Sequence, residues 1–174
     1  SSKAYKDHIH IISFASKDTS EALMDWMSSA SKKASQKYPA MPLAYFSFAD
    51  LTEVPGFLRP IAKPILEDMI SKDVEPLMEK FKSTPDTAGG SPPTTPEFHL
   101  IADWDGSFLA SFGVEEIDGY YLWVVHQGRV LGSFSHKSEQ QDEAYLAVFD
   151  AIAKAKVEAT SKKEVVAPTD TTDS

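Results

Sequence analysis

Two adjacent apolar runs separated by a glycine-containing pair constrain the fold more than any other feature of this sequence. Residues 120–125 are aromatic, β-branched or leucine throughout, which is typical of a strand buried on both faces. Residues 129–134 form a second run in which apolar and polar side chains partly alternate. Gln127 and Gly128 stand between the runs, and glycine tolerates the positive φ that two-residue hairpin turns require. The sequence therefore predicts an antiparallel β-hairpin.

A third apolar run precedes this hairpin and ends in an acidic turn. Residues 98–102 are predicted to form a short strand, and the residues from Asp103 to Gly106 have turn chemistry. Residues 107–114 are too few for a domain, and we expect a helical turn that ends before Gly113. The C-terminal half thus predicts three strands, of which the last two form the hairpin.

The N-terminal half predicts a strand, a helix and a second strand. Residues 8–14 and 43–48 are rich in the β-branched and aromatic side chains that favour strands. Between them, Asp18 is positioned to cap a helix, and Glu21 stands three residues further on, as in a capping box. The helix carries an apolar stripe made of Leu23, Trp26, Met27, Ala30 and Ala34. A strand–helix–strand unit of this kind favours parallel strands.

The segment after the second strand is predicted to be helical but interrupted. Residues 54–56 form a turn, and Pro60 and Pro64 predict irregular first helical turns. The apolar stripe of this segment consists of Phe57, Leu58, Ile61, Ile65 and Met69. Asp73 is positioned to cap a second helical piece, whose apolar residues are Val74, Leu77, Met78 and Phe81.

A loop, a last helix and two polar termini complete the chain. Residues 83–96, rich in Pro, Gly, Ser and Thr, are predicted to be a flexible loop. The last helix follows Ser138, and one of its faces carries Tyr145, Val148, Phe149 and Ile152. We expect residues 1–7 to be frayed and residues 159–174 to form a disordered tail. One domain then spans residues 8–158.

The order of the predicted elements indicates the fold class. A βαβ unit, a further helix, a loop, a strand, an antiparallel hairpin and a closing helix make the layout of the thioredoxin fold. This fold is an α/β three-layer sandwich, with a central mixed sheet flanked by helices. An extra strand or excursion over residues 98–114 favours the peroxiredoxin-like variants of that fold.

Charge and cysteine content exclude several function classes. The formal net charge of −9 argues against nucleic-acid binding, because a phosphate footprint needs clustered Lys and Arg. No stretch approaches the roughly 18 apolar residues of a membrane helix. The chain contains no cysteine, which excludes disulfides, thiolate metal sites and a cysteine nucleophile. The sequence begins at Ser1 rather than at Met, so the absence of a visible signal sequence carries no weight.

Several short motifs resemble the C-terminal half of thioredoxin-like proteins of the peroxiredoxin and TlpA type. They are Phe-x-Leu-Ile-Ala-Asp-x-Asp-Gly over residues 98–106, Phe-Gly-Val over 112–114 and Leu-Trp-Val-Val-x-x-Gly-Arg-Val over 122–130. Within that group the sequence is most similar to the YtfJ-like family, over residues 8–154. The resemblance implies a thioredoxin-like fold, an extracytoplasmic (periplasmic) location and no well-established activity.

The sequence departs from thioredoxin-like enzymes at the redox position. In those enzymes a Cys-x-x-Cys pair follows the first strand, at a helix N-terminus whose dipole lowers the thiol pKa. Here the equivalent residues are 18–21, and Gly119 and Tyr120 occupy the region of the cis-proline that normally precedes the third core strand. The resemblance therefore implies the fold without thiol–disulfide or thiol-peroxidase chemistry.

Histidines and the acidic turn are the remaining candidates for chemistry. His8 and His10 share one face of the first strand and His99 lies on another strand, but two imidazoles need a third ligand and supporting contacts. Histidines without a metal are the favoured interpretation. The Asp-x-Asp-Gly turn that begins at Asp103 does not fit an EF-hand loop, because its glycine stands fourth instead of sixth and its twelfth residue is Val114.

We therefore expect a redox-inactive thioredoxin-like domain that binds a protein or peptide on the face of the former active site. That face comprises Asp18, Thr19, Ser20, Glu21, Pro55, Gly56, Gly119 and Tyr120. No cofactor, no metal and no catalytic residue is expected. The alternative is an enzyme or metal-binding protein that uses the histidines or the turn of Asp103 and Asp105. A third possibility is an assembly subunit, and the sequence leaves the oligomeric state open.

Overall fold

Five strands form one mixed sheet in the order β3-β2-β1-β4-β5. The computed structural model describes residues 8–16, 18–65, 68, 96–114, 118–138 and 140–165, with side chains in the last helix through Glu158. The strands are β1 (Ile9–Ala15), β2 (Leu43–Asp50), β3 (Glu97–Asp103), β4 (Tyr120–His126) and β5 (Arg129–Ser135).

Within the described ranges, four helical segments and one 3₁₀ turn lie between or after these strands. Helix α1 (Ser20–Lys37) joins β1 to β2, and the 3₁₀ turn Gly56–Leu58 leads into α2, residues 59–65. Helix α3 (Ser107–Ser111) lies between β3 and β4, and α4 (Gln141–Val165) follows β5. The 3₁₀ turn accounts for the irregular start predicted near Pro60. No helix in these ranges has the length and apolar content needed to cross a membrane.

The strand directions confirm the predicted thioredoxin-like fold. Strand β1 pairs in parallel with β2, and β2 pairs in parallel with β3. On its other side β1 pairs antiparallel with β4, which forms an antiparallel hairpin with β5. The mixed sheet thus joins a βαβ unit to a hairpin, and the run over residues 98–102 adds a strand at the β2 side.

Each face of the sheet has its own apolar core. Helices α1 and α4 cover the first face, where the buried residues include Ile9, Ile11, Leu23, Met27, Ala30, Ala34, Tyr45, Leu122, Val124, Tyr145, Phe149 and Ile152. The short helix α3 packs on the second face, where the buried residues are Phe14, Phe48, Leu109 and Trp123. Helices on both sides of one sheet make the three layers that the sequence predicts.

Three hydroxyl groups meet inside the first core. Ser31 of α1, Tyr45 of β2 and Tyr145 of α4 are all buried. Burial raises the pKa of both tyrosines well above the ordinary value. The two phenols therefore stay neutral at physiological pH.

Several predicted boundaries differ from the structure. Thr19, not Asp18, is the N-cap of α1, and it makes no side-chain capping bond. The reason is a turn in which the Thr19 N–H donates to the Ser16 carbonyl at 3.1 Å and the two hydroxyls bond each other at 2.8 Å. Helix α4 continues to Val165 rather than ending near Glu158, because its last residues are mostly good helix formers.

Other predictions lie outside the described residues. They are the frayed segment 1–7, Met69, the helical piece after Asp73, the flexible loop 83–96 apart from Pro96, and residues 166–174 of the predicted tail.

The predicted hairpin turn has the geometry of a type I′ turn. Gln127 has φ of 51° and Gly128 has φ of 75°, and primed turns of this kind match the twist of the flanking strands. The register shifts between Val124 and Val125, which is a β-bulge close to the turn.

We expect Gly128→Ala to lower the free energy of unfolding by about 1 kcal/mol, because a side chain disfavours positive φ. Open space surrounds an added Cβ at this position, so the backbone angle alone decides the effect. Gly56→Ala is the matched control, since Gly56 also has open space but no positive φ. Urea unfolding measures both, and equal effects of the two variants would contradict this account.

A polar contact holds the start of α4 against α1. The Trp26 Nε1–H donates to Asp142 Oδ1 at 2.8 Å, and Lys33 pairs with the other carboxylate oxygen. The hydrogen bond from Lys33, together with that from Trp26, holds the pKa of Asp142 below its ordinary value. The carboxylate therefore stabilises the fold above about pH 4, and this contribution is lost as pH falls through the lowered pKa.

Asp142→Ala should lower the free energy of unfolding by about 1–2 kcal/mol at neutral pH, because the Trp26 N–H loses its acceptor. The difference from the wild type should narrow below about pH 4. Asp150→Ala is the control, since Asp150 pairs with Lys37 on the surface and should cost under about 0.5 kcal/mol. Urea unfolding across pH checks this, and a pH-independent Asp142→Ala effect would refute it.

Candidate functional site

The predicted binding residues lie where the three parallel strands end. Strands β1, β2 and β3 end at Ala15, Asp50 and Asp103, and the register pairs Asp50 with Asp103. The antiparallel strand β4 begins at Tyr120, opposite Ala15. We call this end of the sheet the carboxyl edge. In open α/β sheets ligands bind outside the carboxyl ends of the strands.

The N-terminus of α1 forms one side of the carboxyl edge. The Ser16 N–H donates to the Gly119 carbonyl at 2.9 Å, so the segment after β1 is fixed beside the start of β4. Asp18, Ser20 and Glu21 are exposed, and Thr19 is half-buried. The structure thus brings the predicted residues 18–21 next to Gly119.

A histidine that the sequence did not single out packs against Gly119. A Cβ atom added to Gly119 would lie 1.9 Å from His136 Nδ1, so the ring occupies the space of a side chain. The His136 N–H also donates to the Tyr120 carbonyl at 3.2 Å. All peptide bonds in the described ranges are trans, so the step into β4 is made without a cis bond.

Tyr120 takes part in the edge through its backbone. Its ring is buried, stacks on Trp26 with 6.0 Å between centroids, and its hydroxyl donates to Gln141 Oε1 at 3.0 Å. These contacts place the ring in the first core, between the sheet and α1. A ligand at the carboxyl edge would meet the peptide groups around Tyr120 and not its ring.

A small charged cluster borders Gly119. Asp118 accepts a 2.6 Å hydrogen bond from Lys137 Nζ and a 3.0 Å bond from the Tyr121 hydroxyl. The bond from Lys137, followed by the bond from Tyr121, lowers the pKa of Asp118, and the bond to Asp118 raises the pKa of Tyr121. Asp118 is therefore an ionised carboxylate whose charge is largely balanced by Lys137.

Pro55 and Gly56 lie on the other side of the edge, and both are exposed. Their segment is fastened to the turn after β3. The Leu51 N–H donates to the Asp103 carbonyl at 3.0 Å, and Arg59 Nη2 donates to the Trp104 carbonyl at 2.8 Å. The Arg59 guanidinium also lies 5.6 Å from the centroid of the Trp104 ring. Two sides of one edge therefore carry the predicted residues, one around α1 and one around this segment.

The acidic turn after β3 serves to start α3. Asp103 is buried, and its Oδ2 accepts the N–H groups of Phe108 and Leu109 at 3.2 Å each. Asp105 Oδ1 accepts the Ser107 N–H at 3.1 Å, and hydrogen bonds from Ser107 lower the pKa of Asp105. Both carboxylates thus bind backbone N–H groups at a helix N-terminus, as the turn interpretation predicts.

The candidate histidines contact an aromatic ring. His10 lies edge-on to Phe46 at 5.5 Å between centroids, and His99 stacks on the same ring at 4.9 Å. His8 precedes β1 at the opposite end of the sheet from the carboxyl edge. Nowhere in the described ranges do three His, Asp or Glu side chains form a group that could hold a metal ion.

The structure adds residues to the site that carried no sequence signal. His136 and Lys137 reach the carboxyl edge because the hairpin returns the chain there after β5, and Arg59 reaches it through Trp104. The contact between the His136 ring and Gly119 joins the residue after β5 to the residue before β4. No residue spacing in the sequence predicts this contact. A correct register for the hairpin would have placed His136 beside Tyr120.

Gly119→Ala should cost about 1–3 kcal/mol of unfolding free energy, because the new methyl group overlaps the His136 ring. The double variant Gly119→Ala/His136→Ala should recover most of this loss, because the ring is then absent. Urea unfolding of both single variants and the double variant gives the coupling free energy. Simple additivity of the two single effects would show that the steric account is wrong.

No protein-family model and no curated protein matches the sequence. Among solved structures, the chain is similar to MTB DsbF in its mixed oxidized and reduced forms (13% identity, 86% of this chain and 84% of that chain, TM-score 0.41). It is also similar to a putative thiol:disulfide interchange protein DsbE from Chlorobium tepidum (10% identity, 84% of this chain and 83% of that chain, TM-score 0.42). A third similar structure is that of a thioredoxin-like protein from Aeropyrum pernix (16% identity, 86% of this chain and 78% of that chain, TM-score 0.41). At these identities the likeness concerns the fold alone.

The chain itself settles the redox question. It contains no cysteine, so it has neither a thiolate nucleophile nor a disulfide to exchange. The thioredoxin-like fold is therefore present without the chemistry of thiol–disulfide oxidoreductases.

Proposed function

We propose that this protein is a redox-inactive thioredoxin-like module that binds a protein or peptide segment at its carboxyl edge. The observation that carries the proposal is a stripe of apolar side chains that point away from the core beside Pro55 and Gly56. Phe57, Ile61 and Ile65 are exposed by 78%, 62% and 57%, and Leu58 is also exposed. We call these four residues the α2 stripe.

The spacing of the α2 stripe makes a single patch. Ile61 and Ile65 stand four residues apart on one face of α2, and Phe57 stands four residues before Ile61 in the 3₁₀ turn that leads into the helix. Scattered exposed apolar residues are ordinary on soluble proteins, but contiguous apolar patches mark interaction sites. Burying a large apolar side chain is worth about 1.5–3 kcal/mol. A partner that covers the stripe would gain this energy from several side chains.

The α2 stripe is held in place before any partner arrives. Arg59 lies within the stripe and is fixed by its hydrogen bond to the Trp104 carbonyl and by its contact with the Trp104 ring. A preorganised surface loses little conformational entropy on binding, which leaves more of the contact energy as affinity. This geometry favours recognition of a partner over a purely structural role.

The α1 side of the edge supports binding better than catalysis. The Ser16 and Thr19 hydroxyls bond each other at 2.8 Å, and Thr19 also bonds the Ser16 carbonyl. Neither contact involves a base that could activate a nucleophile. Asp103 and Asp105 bind backbone N–H groups, which does not favour the alternative of an enzyme or metal-binding protein at that turn.

The test is selection of binding peptides from a random 12-residue display library on wild-type protein, followed by affinity measurements. We expect the double variant Phe57→Ser/Ile61→Ser to bind the selected peptides at least tenfold more weakly than the wild type, because two apolar anchors are lost. The thermal midpoint should not fall, since both side chains are exposed.

Val130→Ser is the matched control, because Val130 is 53% exposed but lies at the opposite end of the sheet. It should leave the affinity unchanged. Failure to select any peptide, or equal binding to the Phe57→Ser/Ile61→Ser variant, would sink the proposal. A stoichiometric metal in protein purified without chelator would favour the metal-binding alternative.

A further inference from the structure

We infer that the segment bound at the α2 stripe is cationic and amphipathic, with Lys or Arg next to its apolar anchors. This inference rests on the proposed function and specifies the partner. It comes from three exposed carboxylates around the stripe, those of Asp50, Glu53 and Asp105.

The contacts of the chain place these carboxylates close to the stripe. Asp50 ends β2 beside Asp103, and its Oδ1 accepts the Thr52 N–H at 2.9 Å. A Cβ atom added to Gly106 would lie 3.3 Å from the Thr52 methyl group, so the turn that holds Glu53 packs on the turn that holds Asp105. The three acids therefore lie in adjacent turns, on the segment that leads into the 3₁₀ turn of Phe57 and on the turn packed against it.

These carboxylates carry negative charge that the described bases nearby balance only in part. Hydrogen bonds from Ser107 lower the pKa of Asp105, which keeps it ionised at neutral pH. Arg59, which bonds the neutral Trp104 carbonyl, keeps its charge and offsets part of this negative charge, whereas Lys137, elsewhere on the edge, is paired with Asp118. Lys63 is an exposed base on α2 itself, so the negative side of the patch lies toward Pro55 and Gly56.

The acids around α1 have a different explanation and are not needed here. Asp18 and Glu21 stand at the N-terminus of α1, where the helix dipole favours negative charge. Asp50 and Glu53 lie between the end of β2 and the 3₁₀ turn, and Asp105 lies in the turn before α3. Their grouping around an apolar stripe is what points to a ligand of opposite charge.

Charge also decides between the possible occupants of the stripe. A second copy carries the same formal net charge of −9 and the same three acids, so charge opposes its approach. A membrane surface rich in anionic lipid would be repelled, and the chain carries a formal net charge of −9. A cationic amphipathic peptide avoids both conflicts, because it covers the apolar side chains and neutralises the carboxylates.

Three synthetic 14-residue peptides test the cationic inference. They share the same Leu and Phe positions, and the polar positions are all Lys in the first peptide, all Gln in the second and all Glu in the third. Fluorescence anisotropy gives the affinities, and emission from half-buried Trp104 reports docking beside Arg59. We expect the Lys peptide to bind wild-type protein at least tenfold more tightly than the Glu peptide. Its affinity should fall several-fold between 50 and 500 mM salt, because exposed charges are screened.

Charge variants localise the effect. The triple variant Asp50→Asn/Glu53→Gln/Asp105→Asn should bind the Lys peptide about tenfold more weakly than the wild type and bind the Gln peptide with unchanged affinity. The turns should stay intact, since Asn keeps an oxygen for the turn hydrogen bonds. Glu158→Gln on α4 is the control, because Glu158 is exposed far from the carboxyl edge. It should have no effect on either peptide.

Each other outcome overturns a defined part of the account. Equal affinities for the Lys and Glu peptides, both lost on Phe57→Ser/Ile61→Ser, would overturn the cationic inference and leave the binding function standing. If the peptides bind the Phe57→Ser/Ile61→Ser variant as tightly as the wild type, both the cationic inference and the proposed binding function are overturned. If the protein forms concentration-dependent dimers that Phe57→Ser/Ile61→Ser abolishes, the occupant of the stripe is a second copy and not a peptide. If it partitions into phosphatidylcholine vesicles and the same substitutions abolish this, the occupant is a lipid surface.

Discussion

The rest of the structure depends on how β1 is paired. It lies at the centre of the sheet, with β2 parallel on one side and β4 antiparallel on the other, and its Ile9, Ile11 and Phe14 side chains are completely buried. A parallel neighbour next in sequence requires a crossover, which α1 supplies. The end of β1, the start of α1 and the start of β4 must therefore meet at one place. The carboxyl edge is a consequence of that topology and not of any single motif.

The two faces of the sheet are covered unequally. The long helices α1 and α4 fill the first face, with Tyr45 and Tyr145 buried between them. On the second face, the buried carboxylate of Asp103 starts α3 and so fixes Phe108 over Phe48, with ring centroids 3.5 Å apart. The aromatic contacts of α3 occupy the sheet near the carboxyl edge. Arg59 holds α2 against Trp104, beyond that packed region.

Local patterns predicted the elements well, because periodicity and turn chemistry act over a few residues. The hairpin followed from Gln127 and Gly128, whose positive φ values match the expected turn. The parallel βαβ unit followed from the spacing of β1, α1 and β2. The N-cap was misplaced because the hydroxyl pair of Ser16 and Thr19 forms a turn that Asp18 alone does not reveal. An apolar stripe commonly marks a buried face, but the residues of the α2 stripe are exposed.

The site was predicted only where it depends on the ends of elements. Residues 18–21 and Gly119 meet because β1 and β4 are neighbours, which the fold class already implies. Tyr120 was placed on the binding face, yet its ring is in the first core because side chains alternate along β4. His136, Arg59 and Lys137 were missed, because each reaches the edge through a contact between segments far apart in sequence. Such contacts depend on register and on packing, and one sequence does not specify them.

The electrostatics of the edge argue for binding through α2 rather than through the N-terminus of α1. A helix N-terminus carries a partial positive charge, which can lower the pKa of a thiol or attract an anion. Here Asp18 and Glu21 stand beside that end of α1 and offset its charge, so the helix offers little attraction to an anionic group. On the neighbouring strand ends, Asp50, Glu53 and Asp105 add negative charge next to exposed apolar side chains. We therefore propose for the edge a ligand that is both apolar and positively charged, and α2 is the only described part of the edge that presents an apolar stripe to receive it.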